Sequence, residues 1–368
     1  MKKILFLATL CCTLFHFSFA QKYGDFPKIK KDLLLNDLEL LHQGLDKLHA
    51  GMYWYTSKDS VDNAFERVKR EINNDLNIME YYKLIAPLIA LSNEGHTEVS
   101  LPQDAIDKLA TQATFMPLTV VFIGDKLYCV KNGSEFDELP LEGKEIESIN
   151  GETPEAIVNK IGSLISSDGY IRTVKYKDLT WFKFASYYYM YYGKVEQFNI
   201  QLKGIEKPIS LKSLLHKDIN SNLKRRYENT KSDREPLEYK TLGSATAYLG
   251  IHSFSNATIS EKSKEKNLTT FLKNSFQSME ENNIKTLIID VSKNGGGDER
   301  NANLLYSYLG KNYQKYKTVK ANTHKATLDN GVDTPIEFKV FGLLEKVFAN
   351  KKMVDGSYER KKNVGHGL

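Results

Sequence analysis

Three consecutive glycines, Gly295, Gly296 and Gly297, are the residues of this chain best suited to chemistry. They follow Thr286-Leu287-Ile288-Ile289-Asp290-Val291, an apolar run of the kind expected of a strand buried on both faces. They precede Asp298 to Leu309, whose pattern predicts a helix. Glycines let the backbone take positive φ and let another chain come close. A loop that opens a helix also points unpaired N–H groups outward. Such groups can stabilise an anion, either a bound phosphate or the oxyanion of a reacting carbonyl.

The residue types choose between the two. A dinucleotide fingerprint would need a glycine where Arg300 stands, and a phosphate loop would need a Gly-Lys-Ser/Thr that is absent. Asp298 and Glu299 suit the positive end of a helix dipole but would repel a phosphate. The developing oxyanion is therefore the better reading. Other chemistries find less support. No Gly-x-Ser-x-Gly elbow occurs. Ser-x-x-Lys occurs at Ser221–Lys224 and Ser263–Lys266, in polar stretches without companion motifs. His96-Thr97-Glu98 lacks the cysteine pair of a zinc deaminase. His96 and His252 read as hydrogen-bonded structural histidines. No cofactor and no metal is expected.

The elements that must position the loop are a strand–helix–strand unit. Ala247 to Ile251 reads as a strand, and Lys264 to Asn282 as an amphipathic helix carrying Leu268, Phe271, Leu272, Phe276 and Met279. Upstream, Leu34, Leu38, Leu41, Leu45 and Leu48 mark a helical face, and two further helices follow, the last stopped near Gly95. From Phe115 the period changes to strands. Ile123-Gly124-Asp125 predicts a hairpin, Asn150-Gly151 a turn, and Thr153-Pro154 a helix start. The aromatic run Tyr187 to Tyr192 reads as a half-buried strand. Lys224-Arg225-Arg226 reads as a solvated face beside acidic neighbours.

Thr286 to Gly297 resembles the strand-and-glycine signature of the tail-specific (C-terminal processing) serine peptidases. Tyr248-Leu249-Gly250-Ile251-His252-Ser253-Phe254 is similar to the strand that opens that family's catalytic core. Leu141 to Pro154 is similar to its PDZ-like module, and the helical segment ending in Glu94-Gly95-His96-Thr97 to its N-terminal domain. The resemblance implies a multi-domain α+β chain. Its parts are a helical N-terminal domain (21–111), a PDZ-like β-rich domain (112–207), a linker (208–240) and part of an α/β peptidase core (241–368). It implies a serine nucleophile with a lysine base held neutral by its surroundings. It also implies an oxyanion-hole amide from Gly296 or Gly297, and a peptide or protein tail as partner, which a PDZ-like module would add to a sheet edge.

The family's serine and lysine are expected after the glycine loop. Only Ser307 and Ser357 follow Gly297. Ser307 falls inside the expected helix. Ser357 lies in a polar turn, Asp355-Gly356-Ser357-Tyr358, and is the remaining low-ranked nucleophile. The expectation is a chain that stops short of the dyad and is inactive as given, with a non-catalytic peptide- or ligand-binding protein as the alternative.

Composition fits an exported globular protein. Of 368 residues, 41% are hydrophobic and 26% charged, which permits a sizeable core and excludes wholesale disorder. Residues 1–20 read as a signal peptide: Lys2 and Lys3, an apolar run from Ile4 to Phe17, then Ser18-Phe19-Ala20. No later run reaches the length of a membrane span. Loss of Lys2 and Lys3 would lower the formal charge from +5 to about +3, too weak to imply nucleic acid as partner. Of the three cysteines, Cys11 and Cys12 would leave with the leader, so Cys129 would have no disulfide partner.

Overall fold

A computed structural model describes residue 23 and residues 26–136, 140–227, 235–310, 320–321, 350–354 and 358–360. The expected leader and Ser357 lie outside the described residues. The chain divides into two compact units, Met1–Glu228 and Asn229–Leu368. The architecture is mixed α and β.

The N-terminal unit begins with β1 (Lys28–Ile29), α1 (Lys31–Leu48), α2 (Lys58–Glu71), β2 (Leu76–Asn77) and α3 (Ile78–Ala90). Ser57 caps α2, and Asn77 with Glu80 forms a reciprocal capping box on α3. Apolar residues encircle α3. Its Tyr81, Ile85, Leu88 and Ile89 join the core of α1 and α2, while Met79, Tyr82 and Ala86 join a second core beyond it. One helix thus serves two cores. The left-handed residue after α3 is Asn93 (φ 49°), which takes the role assigned from the sequence to Gly95.

Next come α4 (Gln103–Gln112), β3 (Thr114–Phe115), β4 (Leu118–Ile123), β5 (Lys126–Asn132), β6 (Glu145–Ile149), α5 (Pro154–Ile161), α6 (Thr173–Asp178), α7 (Trp181–Tyr192), β7 (Gln197–Leu202), β8 (Ile209–Lys212), β9 (Leu214–Leu215) and α8 (His216–Tyr227). Strands β4 to β8 form one antiparallel sheet in sequential order. The expected turns are present. The β4–β5 hairpin turns at Gly124 (φ 64°), and β6 turns at Asn150 and Gly151, both at positive φ. Thr153 caps α5, with Pro154 in its first turn.

Two readings are corrected here. The aromatic run 187–192 is helical, the second half of α7. Its Phe184, Ala185, Tyr188 and Tyr189 are buried at helical spacing, and Tyr188 stacks on Tyr192 one turn on (4.3 Å between centroids). Aromatic strand preference gives way to packing. The basic triplet is also more than a wet surface. Lys224 and Arg225 are exposed, but Arg226 reaches the carbonyls of Asn132 (2.5 Å) and Ser134 (2.7 Å) and secures the end of β5. Residues 209–227, within the span read as a linker, carry β8, β9 and α8, and β8 extends the sheet.

The C-terminal unit contains β10 (Leu237–Leu242), β11 (Thr246–Ile251), α9 (Asn256–Lys262), α10 (Leu268–Glu281), β12 (Thr286–Asp290) and α11 (Glu299–Leu309). The sheet order is β10-β11-β12, with β10–β11 antiparallel and β11–β12 parallel. Its core gathers Leu249 and Ile251 of β11, Ile259 of α9, Leu272 of α10 and Leu305 of α11. Three short strands, β13 (Lys320–Ala321), β14 (Asn350–Lys352) and β15 (Tyr358–Arg360), form a separate antiparallel sheet.

Strand β12 is buried on one face, contrary to the expectation of two. Leu287 and Ile289 pack on the core, whereas Ile288 is 45% exposed. Among the described residues β12 has a single neighbouring strand, and the helices cover one side of it.

Candidate functional site

Parallel pairing carries β11 and β12 side by side to the same end, with Gly250 opposite Asp290. Beyond that end the two chains stay together. Phe254 and Gly297 form a parallel bridge, with Phe254 N–H donating to Gly296 O (3.0 Å) and Asp298 N–H donating to Phe254 O (3.0 Å). In open parallel sheets this carboxyl end is where ligand chemistry collects.

Asn294 shapes the loop. Its Nδ2 donates to Ile251 O (3.0 Å), which fastens it to the end of β11. Its Oδ1 accepts the Gly296 N–H (2.8 Å). Gly296 and Gly297 both lie at positive φ, 101° and 137°. A Cβ on Gly297 would stand 2.2 Å from Ser255 N and 2.3 Å from the Phe254 carbonyl carbon, so only glycine fits. A Cβ on Gly295 or Gly296 would meet nothing within 4 Å. All three glycines face solvent. The Gly296 amide is occupied, whereas the Gly297 amide has no acceptor among the described residues.

The helix that follows is well anchored. Asp298 caps α11 by accepting from Arg300 N–H (2.9 Å), and the Arg300 guanidinium folds back on the same carboxylate (2.6 Å). The buried Asn301 donates to Phe254 O and to Asn256 Oδ1, both at 2.8 Å. Arg300 thus offsets the Asp298 carboxylate, while Glu299 stays exposed in the first turn.

Beneath the loop, Asp290 accepts from Ser292 N–H (2.9 Å) and from Tyr248 Oη–H (2.8 Å). Hydrogen bonds from Ser292, then from Tyr248, with His252 nearby, hold this carboxyl well below the usual carboxylate range. Asp290 is therefore an anchored anion at neutral pH, unsuited to deliver or remove a proton. Tyr248 and His252 flank Gly250, where an added Cβ would lie 3.0 Å from Tyr248 Oη and from His252 Nε2. His252 departs from the expectation of a hydrogen-bonded ring, because its Nδ1 is buried without a partner among the described residues.

The remaining sequence candidates are accounted for separately. Ser307 is an exposed residue of α11 whose hydroxyl donates to Leu304 O (2.7 Å). Ser255 Oγ caps α9, and Ser253 Oγ accepts from Ser255 N–H. His96 is almost wholly exposed, and among the described residues its ring meets the Glu94 carboxylate alone. The histidine ordered against that loop is His49, the C-cap residue of α1. Gly51 N–H donates to its Nδ1 (3.2 Å), so Nε2 carries the proton given to Thr97 Oγ1 (2.9 Å), which donates onward to Glu94 (2.6 Å). In this order His49 is a donor and not a base for Thr97. Sequence reasoning missed Asn294, Asn301 and Tyr248. A single asparagine before a glycine run was the only available signal.

Residues 245–354 match the model of peptidase family S41. This is the family of the tail-specific serine peptidases, and the match includes β11, β12 and the glycine loop. The solved structure of mature CPAF complexed with lactacystin is similar at TM-score 0.46 and 13% identity, over 76% of this chain and 59% of that one. The chain thus spans less than two thirds of that protein's length. No curated protein matches the chain. Among the described residues, no helix is long and apolar enough to cross a membrane.

Proposed function

We propose that the chain is a serine-type peptidase acting on peptides or protein tails, with the glycine loop as oxyanion donor. The observation that carries this reading is the state of the loop's amides. Asn294 takes up the Gly296 N–H, while the N–H of the exposed Gly297 has no acceptor among the described residues, at the carboxyl end of a parallel strand pair. Such a preorganised donor is worth most where carbonyl charge develops. Gly297 is therefore the better of the two glycines proposed from the sequence. The S41 match supports peptide or protein substrates. The charged start and apolar run of residues 1–20 support export to the cell envelope or beyond.

Turnover and labelling test this. The purified chain would be incubated with an unstructured protein, with a folded reporter bearing an unstructured apolar tail, and with a fluorophosphonate probe. Cleavage together with covalent labelling of one serine is the outcome this reading requires, and it would overturn the expectation, drawn from the sequence, of a chain inactive as given. Absence of both cleavage and labelling would overturn the reading. A peptide aldehyde should also move the amide resonance of Gly297 and leave that of Gly296 in place.

A further inference from the structure

A groove of about 630 Å³ lies wholly in the N-terminal unit. It falls in the size range of small-ligand sites. Its floor is α5, through Val158 and Asn159, and its rim is the segment from Ser167 to Tyr176. The rim is held in place from across the unit. Gly169 N–H donates to Asn93 O (2.8 Å), Asp168 accepts from Gly95 N–H (2.7 Å), and Ser166 Oγ–H donates to Thr97 O (2.6 Å). The groove is therefore a built feature rather than a gap beneath a loose loop.

Its chemistry is two-sided. Arg172 and Lys175 both line it, and neither has a carboxylate partner among the described residues. Arg172 donates instead to the amide oxygen of Asn159 (3.0 Å). The stem of Lys175 lies over Gly162, its Cδ 3.5 Å from where a Cβ of that glycine would sit. The Lys175 amine is held below its usual range by burial, and then by the charge of Arg172. Lys175 is half-buried and Arg172 is exposed beside it, and two neighbouring cations without a counter-charge are an arrangement that an anion relieves. The lone carboxylate lining the groove, Glu155, is exposed and is not among the charges acting on Lys175.

The second side is aromatic. Tyr170 and Ile171 are 80% and 51% exposed at the rim, and Tyr170 meets Tyr55 edge-on (5.5 Å). Tyr55, itself 44% exposed, continues the surface. Exposed aromatics contiguous with a cationic groove are a recognition surface, because such area is costly to leave in water.

We propose that this groove binds an acidic peptide segment, its carboxylates on Arg172 and Lys175 and its apolar side chains against Tyr170 and Ile171. The proposal stands apart from the catalytic reading, since no residue of the C-terminal unit takes part in it.

The test is fluorescence anisotropy on the full chain. The probe is a fluorescein-labelled octapeptide alternating glutamate with phenylalanine and leucine, compared with its glutamine counterpart. The acidic peptide should bind more tightly, with an affinity that falls as salt rises. Lys175→Met keeps the stem over Gly162, and Arg172→Gln keeps a polar side chain. Each should weaken the acidic peptide about tenfold and leave the glutamine peptide unchanged. Lys177→Gln, an equal loss of charge on an exposed neighbour outside the groove, should bind as the parent does. Matching thermal midpoints establish that the variants are folded. Equal affinity for the two peptides, absence of saturable binding, or parental binding by the Lys175→Met/Arg172→Gln double variant would each overturn the proposal.

Discussion

Asn294 Oδ1 accepts the Gly296 N–H at 2.8 Å, while the same side chain donates to Ile251 O at 3.0 Å. One amide group therefore sets the loop conformation and joins it to the neighbouring strand. Asn294→Ala removes both bonds and leaves the carbonyl of the buried Ile251 without its side-chain donor. It should cost about 1–2 kcal/mol in urea denaturation. Asn294→Asp keeps an acceptor for Gly296 but turns a carboxylate oxygen toward Ile251 O, so it should be no more stable than the alanine variant. Parental stability in both variants would show that the glycine run holds its shape unaided.

The three glycines should respond to alanine in a graded order. Gly295→Ala meets open space and no positive φ, so it should change stability by less than about 0.5 kcal/mol. Gly296→Ala has room but stands at φ 101°, a conformation worth about 1–3 kcal/mol of strain for an L residue. Gly297→Ala adds collision with the backbone of Phe254 and Ser255, which has no flexible side chain to yield. It should exceed the Gly296 variant and can abolish soluble expression. Any other ranking by thermal midpoint contradicts the loop geometry.

This order could not be read from three identical letters. The sequence shows that the backbone must turn and be approached closely. It does not show that Phe254 and Ser255 make the approach at Gly297 alone, because their position follows from the parallel register of β11 and β12. Local turns were legible for the opposite reason. Asn150-Gly151 and Thr153-Pro154 act through their own backbone preferences. Tyr187 to Tyr192 was misread because a solid aromatic run has no period, and Phe184 and Ala185 were needed to reveal the helical face. The apolar run of β12 was misread because composition reports which residues tolerate burial, not how many layers of chain cover them. The unpartnered cations of the N-terminal groove were invisible for a similar reason. Arg172 and Lys175 look like ordinary surface residues until the fold sets them together along one groove beside α5.

Asp290 links stability to pH with a definite sign. Its hydrogen bonds from Ser292 and Tyr248 favour the charged carboxylate, so its folded value lies below the unfolded value of about 4. The contribution is then fully present above that unfolded value and is lost as pH falls toward the folded one. Asp290→Asn should be less stable than the parent at pH 7. The gap in urea midpoint should narrow steadily from pH 5 to pH 3. A gap that stays constant across this range would mean that Asp290 acts through shape alone.

Cys129 provides the last check, on the core of the N-terminal unit. It lies on β5 opposite Val120 and is buried, and burial, with Glu142 nearby, pushes its thiol up to about 12. At pH 8 roughly one molecule in 10⁴ would carry the thiolate, the form that reacts. Iodoacetamide at pH 8 should therefore leave Cys129 unmodified in the native protein for hours, and modify it fully in 6 M guanidinium, as read by peptide mass mapping. Cys129→Ala would remove the sulfur from a close-packed site and should cost about 1–2 kcal/mol, because the surrounding strands cannot collapse around the gap. Rapid native alkylation would show instead that the β4–β5 hairpin opens far more often than its buried register implies.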